Sequence, residues 1–207
     1  AAFEAAIMFD ERMENAYFML GLVHDYQGNY AAAAKAFDMA AETNPSNVAA
    51  EAWLGICVAR TGDGQEAFGA VGRALNTDDE RAVVYVAQSW ARRTTDPPDL
   101  DGAVGDLLYA LDLDPNGFQT LNATARFYQE YRPERLSEAE RLAAYALSWA
   151  DDDIERAVAH QTLGRIYLAQ GRPQEAREAF SQAVSLMTVE GEIVLADLAE
   201  DWAEVSD

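Results

Sequence analysis

The sequence predicts an all-α solenoid of stacked helix-turn-helix units, and three observations carry that prediction. Six alanines, Ala6, Ala40, Ala74, Ala110, Ala146 and Ala183, recur at separations of 34, 34, 36, 36 and 37 residues. A period of this length marks repeat architectures in which each unit buries its apolar face on the next. Glycines at Gly28, Gly62 and Gly171 split the repeats into two helical runs, because glycine takes up positive φ at low cost. Asn44-Pro45 and Asp114-Pro115 then separate one unit from the next, since proline blocks continuation of a helix.

Taken in order, residues 1–13 supply the second helix of a partial repeat, with Phe3 and Ala6 at its apolar positions, so the chain is expected to open halfway through a unit. Residues 14–47 and 48–81 form two regular repeats. The third, 82–117, carries a turn two residues longer, Asp96-Pro97-Pro98-Asp99, and the fourth, 118–153, a similar extension at Tyr131-Arg132-Pro133-Glu134. Turn insertions of this kind are tolerated on a surface. Asp151-Asp152-Asp153 caps the helix that opens the fifth repeat, 154–190. Beyond it, Ile193, Val194, Leu198, Trp202 and Val205 recur at helical spacing within 191–207, and the stretch from Glu190 to Asp207 holds seven acids and no base. An acidic capping helix is expected there, apolar on one side to cover the open end of the stack.

This pattern resembles the tetratricopeptide repeat family, whose units pair Leu-Gly, Tyr, Ala, Phe, Ala and Pro at fixed offsets. Tyr17, Leu20, Gly21, Ala33, Phe37, Ala40 and Pro45 stand at family positions, as do Leu163, Gly164, Tyr167, Ala176, Phe180 and Ala183. The remaining units keep fewer, among them Leu54 and Gly55, Tyr85 and Ala103, Ala125 and Tyr128. Gln88, Ser89 and Arg92 depart from the family's Leu, Gly and Tyr. The resemblance implies a right-handed α-solenoid in which small residues such as Gly21, Gly55 and Gly164 let paired helices approach. Phe37, Val71, Leu107 and Phe180 then fill the space between repeats.

Composition limits the partners. With 36 acids against 15 bases the net charge is −21, and Lys35 is the one lysine. That field disfavours nucleic acid and anionic membranes, which need clustered positive charge. No apolar run is long enough to span a bilayer, so a soluble protein is expected, with cytoplasm and periplasm both open. One cysteine, Cys57, excludes an internal disulfide. Only His24 and His160 are present, in different repeats and without carboxylates at ligand spacing, so neither metal nor cofactor is expected. Asp112-x-Asp114-x-Asn116-Gly117 begins like a calcium loop, but Ala123 stands at the closing glutamate position and Pro115 interrupts it. No nucleophile arrangement or phosphate-cradling loop is present, and no catalytic residue is assigned.

In the family the first helix of each unit lines a concave groove. Carrying those offsets over assigns Asn15, Phe18, Leu22 and Asp25 from the first unit, and Trp53, Ile56 and Arg60 from the second. The third gives Val86, Trp90 and Arg93, the fourth Asn122, Arg126 and Gln129, and the fifth Gln161 and Arg165, with Leu168 beside them. The groove would be apolar and aromatic first, then rich in arginine and amide. That suits a protein or peptide partner with an apolar anchor and acidic groups, since guanidinium forks hold carboxylates in paired bonds. The alternative is that Arg126 and Arg165 pair with local acids and the tryptophans pack between repeats. The family's carboxylate clamp for chaperone tails is not reproduced, because Phe18 and Leu22 occupy its Lys and Asn positions. Two further roles stay open: self-association through Phe3, Ile7 and Phe9 of the half-repeat, and service as the regulatory part of a larger enzyme.

Overall fold

The computed structural model describes residues 14–189, 192–193 and 195–206. The partial repeat expected over residues 1–13 lies outside them. The described residues form an all-α solenoid that divides into two compact units, the first ending at Leu113 and the second beginning at Asp114.

The first unit holds α1 (Glu14–Tyr26), α2 (Tyr30–Thr43), α3 (Val48–Thr61), α4 (Gly64–Thr77), α5 (Ala82–Arg92) and α6 (Leu100–Leu113). Each helix packs on the next along the chain, and α3 also packs on α5. The helices start and stop where local chemistry dictates. Asn47 and Asp63 cap α3 and α4 by accepting the backbone N–H groups of Ala50 and Glu66. Gly28 and Gly62 turn the chain at φ of 76° and 94°, a region closed to most side chains. The alanine register is the core itself: Ala33, Ala40, Ala67, Ala74, Ala103 and Ala110 are wholly buried.

Close approach at Gly21 has a sharper cause than small-residue packing alone. The Phe37 ring lies over the glycine, and a Cβ there would fall 2.7 Å from it. At Gly55 the smaller Val71 plays this part at 3.0 Å. These large residues therefore seal the joint inside a repeat as well as the space between repeats.

The longer third turn explains the departure at Arg92. Its guanidinium donates to Asp99 and to Asp106, each at 2.6 Å. Thr95 Oγ1 accepts the Asp99 N–H at 2.9 Å. Arginine thus replaces an aromatic because the extended turn supplies Asp99 and α6 supplies Asp106. Burial raises the Asp106 carboxyl above its ordinary value, against the pull of Arg92.

The second unit holds α7 (Phe118–Tyr131), a 3-10 turn (Pro133–Arg135), α8 (Leu136–Ser148), α9 (Asp153–Ala169), α10 (Pro173–Met187) and α11 (Leu198–Ser206). Asp152 caps α9 by accepting from the Glu155 N–H. Gly171 turns the chain at φ 73°, and the Gly164–Phe180 joint repeats the Gly21–Phe37 one. The expected helix over 191–207 is corrected. Thr188–Val189 and Glu192–Ile193 form a minimal antiparallel ladder, and the helix begins only at Leu198. β-branched Thr188, Val189 and Ile193 favour extended backbone, and Asp197 adopts φ 60° immediately before the helix. The helix itself is anchored by Leu195 and Leu198, both buried, and packs on α10 and α9.

Candidate binding faces

In the first unit the expected groove residues gather on α1, α3 and α5. Phe18, Leu22, Trp53 and Trp90 are partly buried and pack against one core cluster that includes Phe37, Leu54, Cys57 and Ala91. The Phe37 ring organises them, with Phe18 edge-on at 5.4 Å and Trp53 stacked at 5.8 Å. Arg93 lies 4.1 Å from the Trp90 ring centre and Arg60 lies 5.3 Å from it, arrangements stabilised by the ring quadrupole.

Two of the expected partner contacts are spent internally. Asp25, 6% exposed, accepts from Arg60 Nη1 at 2.9 Å, while Arg60 Nη2 donates to the Tyr30 hydroxyl at 2.6 Å. The Cys57 thiol donates to the same Asp25 carboxylate at 3.5 Å. Burial pushes that thiol far above its ordinary value, and the Asp25 charge adds to the effect. Asp25 and Arg60 therefore brace α1 against α3. Ile56 and Val86 are each 4% exposed and support the face from beneath instead of presenting surface. Asn15 is exposed at the start of α1.

In the second unit, α7 and α9 carry Asn122, Arg126, Gln129, Gln161 and Arg165. Arg126 lies 3.7 Å from Glu130, one helical turn on. Asn122 is buried, and its Oδ1 has no hydrogen-bond partner among the described residues. The strongest contacts run to α11. Arg165 Nε reaches both Asp201 carboxylate oxygens, at 3.0 and 2.9 Å, and Nη2 reaches Asp197 at 3.3 Å. Gln161 Nε2 donates to Asp201 at 2.6 Å and to the Ala196 carbonyl at 2.9 Å. Burial works against the Arg165 charge, yet Asp201 and Asp197 outweigh it and hold the guanidinium's pKa above its ordinary value. Beside these contacts lies a cleft of about 540 Å³ lined by Gln129, Glu130, Arg165, Leu168, Ala169, Asp201 and Glu204.

Sequence reasoning did not foresee Asp197 and Asp201 at this site. The available signal was the run of acids after Glu190 following a repeat whose first helix offers Gln161 and Arg165. Among the described residues, no three or more His, Cys, Asp or Glu side chains cluster as metal ligands, and no helix is long and apolar enough to cross a membrane.

Sequence profiles of the tetratricopeptide repeat match residues 18–82 and 157–187. Both of these stretches carry tetratricopeptide repeats. Solved structures of similar fold include a thermophilic tetratricopeptide protein of Thermus thermophilus, 21% identical, with a TM-score of 0.71 over 93% of this chain and 98% of that one. A tetratricopeptide repeat protein of Parabacteroides merdae is 13% identical, with a TM-score of 0.69 over 99% of this chain and 75% of that one. Yeast Tom70 is 20% identical at a TM-score of 0.61, and this chain covers 41% of it. No curated protein matches by sequence. Tetratricopeptide proteins are in general non-catalytic scaffolds for protein interaction, and these likenesses establish the repeat fold on which such scaffolds are built.

Proposed function

We propose that the first unit of this tetratricopeptide protein binds a segment of a partner protein across α1, α3 and α5. Trp53 and Trp90 would serve as apolar anchors, and Arg93, whose guanidinium nitrogens are buried, would receive a carboxylate of the ligand by turning its side chain outward. The observation that carries this reading is the shared seating of Phe18, Leu22, Trp53 and Trp90 on one rigid cluster while each stays partly exposed. Aromatic side chains held in this way lose little further freedom on binding, which is why they dominate interface energetics. Arg93 over Trp90 places a cation next to an apolar surface, so a ligand with an acid beside an apolar residue would satisfy both.

The test is selection of a displayed library of random 12-residue peptides against the whole chain, followed by titration calorimetry of the best peptide. Selected sequences should pair a large apolar residue with Asp or Glu. Trp90→Ala should weaken binding by ~30-fold, the scale of a hot-spot residue near 2 kcal/mol, and Arg93→Glu by at least ~10-fold. Arg141→Glu, at an exposed position on α8, serves as the control. Peptides without acids whose affinity ignores both changes would refute the assignment.

A further inference from the structure

The second unit has an acid-binding arrangement already filled by the chain itself. Arg165 and Gln161 deliver four hydrogen bonds to the Asp197 and Asp201 carboxylates, and the Asp201 side chain is only 13% exposed. The Arg165 Nε–H is shared between both Asp201 oxygens while Nη2 reaches Asp197, so one guanidinium holds two carboxylates in charge-assisted bonds. The segment that supplies these acids is short. Helix α11 has nine residues, and isolated helices below about 12–15 residues are marginal in water, so it persists through its docking contacts. The cleft alongside is open, but Glu130 and Glu204 stand on its wall. An incoming acid would meet like charge there as long as Asp201 stays in place.

From this we infer that Arg165 and Gln161 form a recognition site for an acidic segment of a partner protein, with α11 as its resident and displaceable occupant. The ligand class is read from the occupant: a short helix with one carboxylate just before it and one in its first turn, as Asp197 and Asp201 are, and buried apolar residues such as Leu195 and Leu198 near its start. Tethering gives α11 a high effective concentration, of order mM for a short linker, so a partner must outcompete it or a second event must release it. The inference stands apart from the face proposed for the first unit, since none of its residues belongs to that unit.

The experiment uses the full chain and a fluorescein-labelled synthetic peptide of residues 195–206. Three proteins are compared by anisotropy: the wild type, Asp197→Ala/Asp201→Ala, and that double variant with Arg165→Gln added. The double variant should bind the peptide at least ~10-fold more tightly than the wild type. Arg165→Gln should abolish the gain, and a peptide carrying the same two alanines should not bind. Asp201→Asn, which keeps the side-chain shape, is the companion variant should the alanines disturb folding, and it should give a smaller gain of the same sign. Equal affinities for wild type and variants would overturn the inference. So would binding that ignores Arg165. A doubled mass of the wild type by light scattering would overturn it too, by making a second copy's α11 the occupant.

Discussion

Gly164→Ala is the most discriminating test of how these repeats are held together. In most helices the change would stabilise by about 1 kcal/mol, because alanine is the better helix former. Here an added Cβ would meet three atoms of the Phe180 ring, the farthest at 2.7 Å, where about 3.4–4 Å is ordinary contact. Phe180 is wholly buried, so its ring cannot yield without moving its neighbours, and overpacking of this kind costs about 1–3 kcal/mol. The clash is severe, so the upper end applies, and the net loss should be ~2 kcal/mol. Gly21→Ala, against Phe37 at 2.7–2.8 Å, should lose ~1 kcal/mol by the same balance of terms. Gly55→Ala, 3.0 Å from a Val71 methyl, should come out near zero. Gly105→Ala, with nothing within 4 Å of the added atom, should gain up to about 1 kcal/mol. Urea denaturation followed by circular dichroism reads the series, and 1 kcal/mol corresponds to about 4–8 °C in Tm for a unit of this size. Adding Phe180→Leu to Gly164→Ala should cost less than it does alone, giving a favourable coupling. Should Gly164→Ala prove as stable as Gly105→Ala, the close-approach argument fails.

Two further outcomes follow from buried charge. Asp25→Ala strands the Arg60 guanidinium, whose side chain is 13% exposed, and should destabilise the first unit by about 3 kcal/mol. In the same urea assay, Glu138→Ala, which breaks a pair exposed by about a third on each side, should cost under ~1 kcal/mol; equal losses would argue against the buried brace. Burial lowers the His160 pKa, so the unfolded chain takes up this proton first as pH falls below about 6.5. The contribution to stability is therefore fully present above that pH and is lost as pH falls through the depressed folded-state value. Thermal melts from pH 7 to pH 5 should show a shallower decline for His160→Gln than for the wild type, and parallel curves would contradict this.

What the sequence revealed followed from local rules. Gly28, Gly62 and Gly171 turn the chain as their lack of a Cβ allows, and Asp152 caps α9 as an acid ahead of a helix should. The buried alanines appear in sequence as a bare period. The Asp25–Arg60 and Arg165–Asp201 pairs were hidden because they are tertiary, yet they keep the same period. Asp25 and Arg60 are 35 residues apart, and Arg165 and Asp201 are 36 apart, so each pair joins similar heights of consecutive units. Opposite charges one period apart would have been the signal to seek. The shortened α11 had no such signal, because Ile193, Val194 and Leu198 fit a helical stripe as well as they fit a strand followed by a helix.

The buried thiol of Cys57 gives this protein an internal clock. It is the one cysteine in the chain, it is fully buried in the first unit, and burial together with Asp25 keeps it protonated. Thiolate-seeking reagents act on the ionised, accessible form, so labelling waits until the first unit opens. The rate at which an alkylating reagent modifies the native chain therefore counts openings of that unit alone. Comparison with amide exchange across α7 to α10 would show whether the two units breathe together or keep separate time.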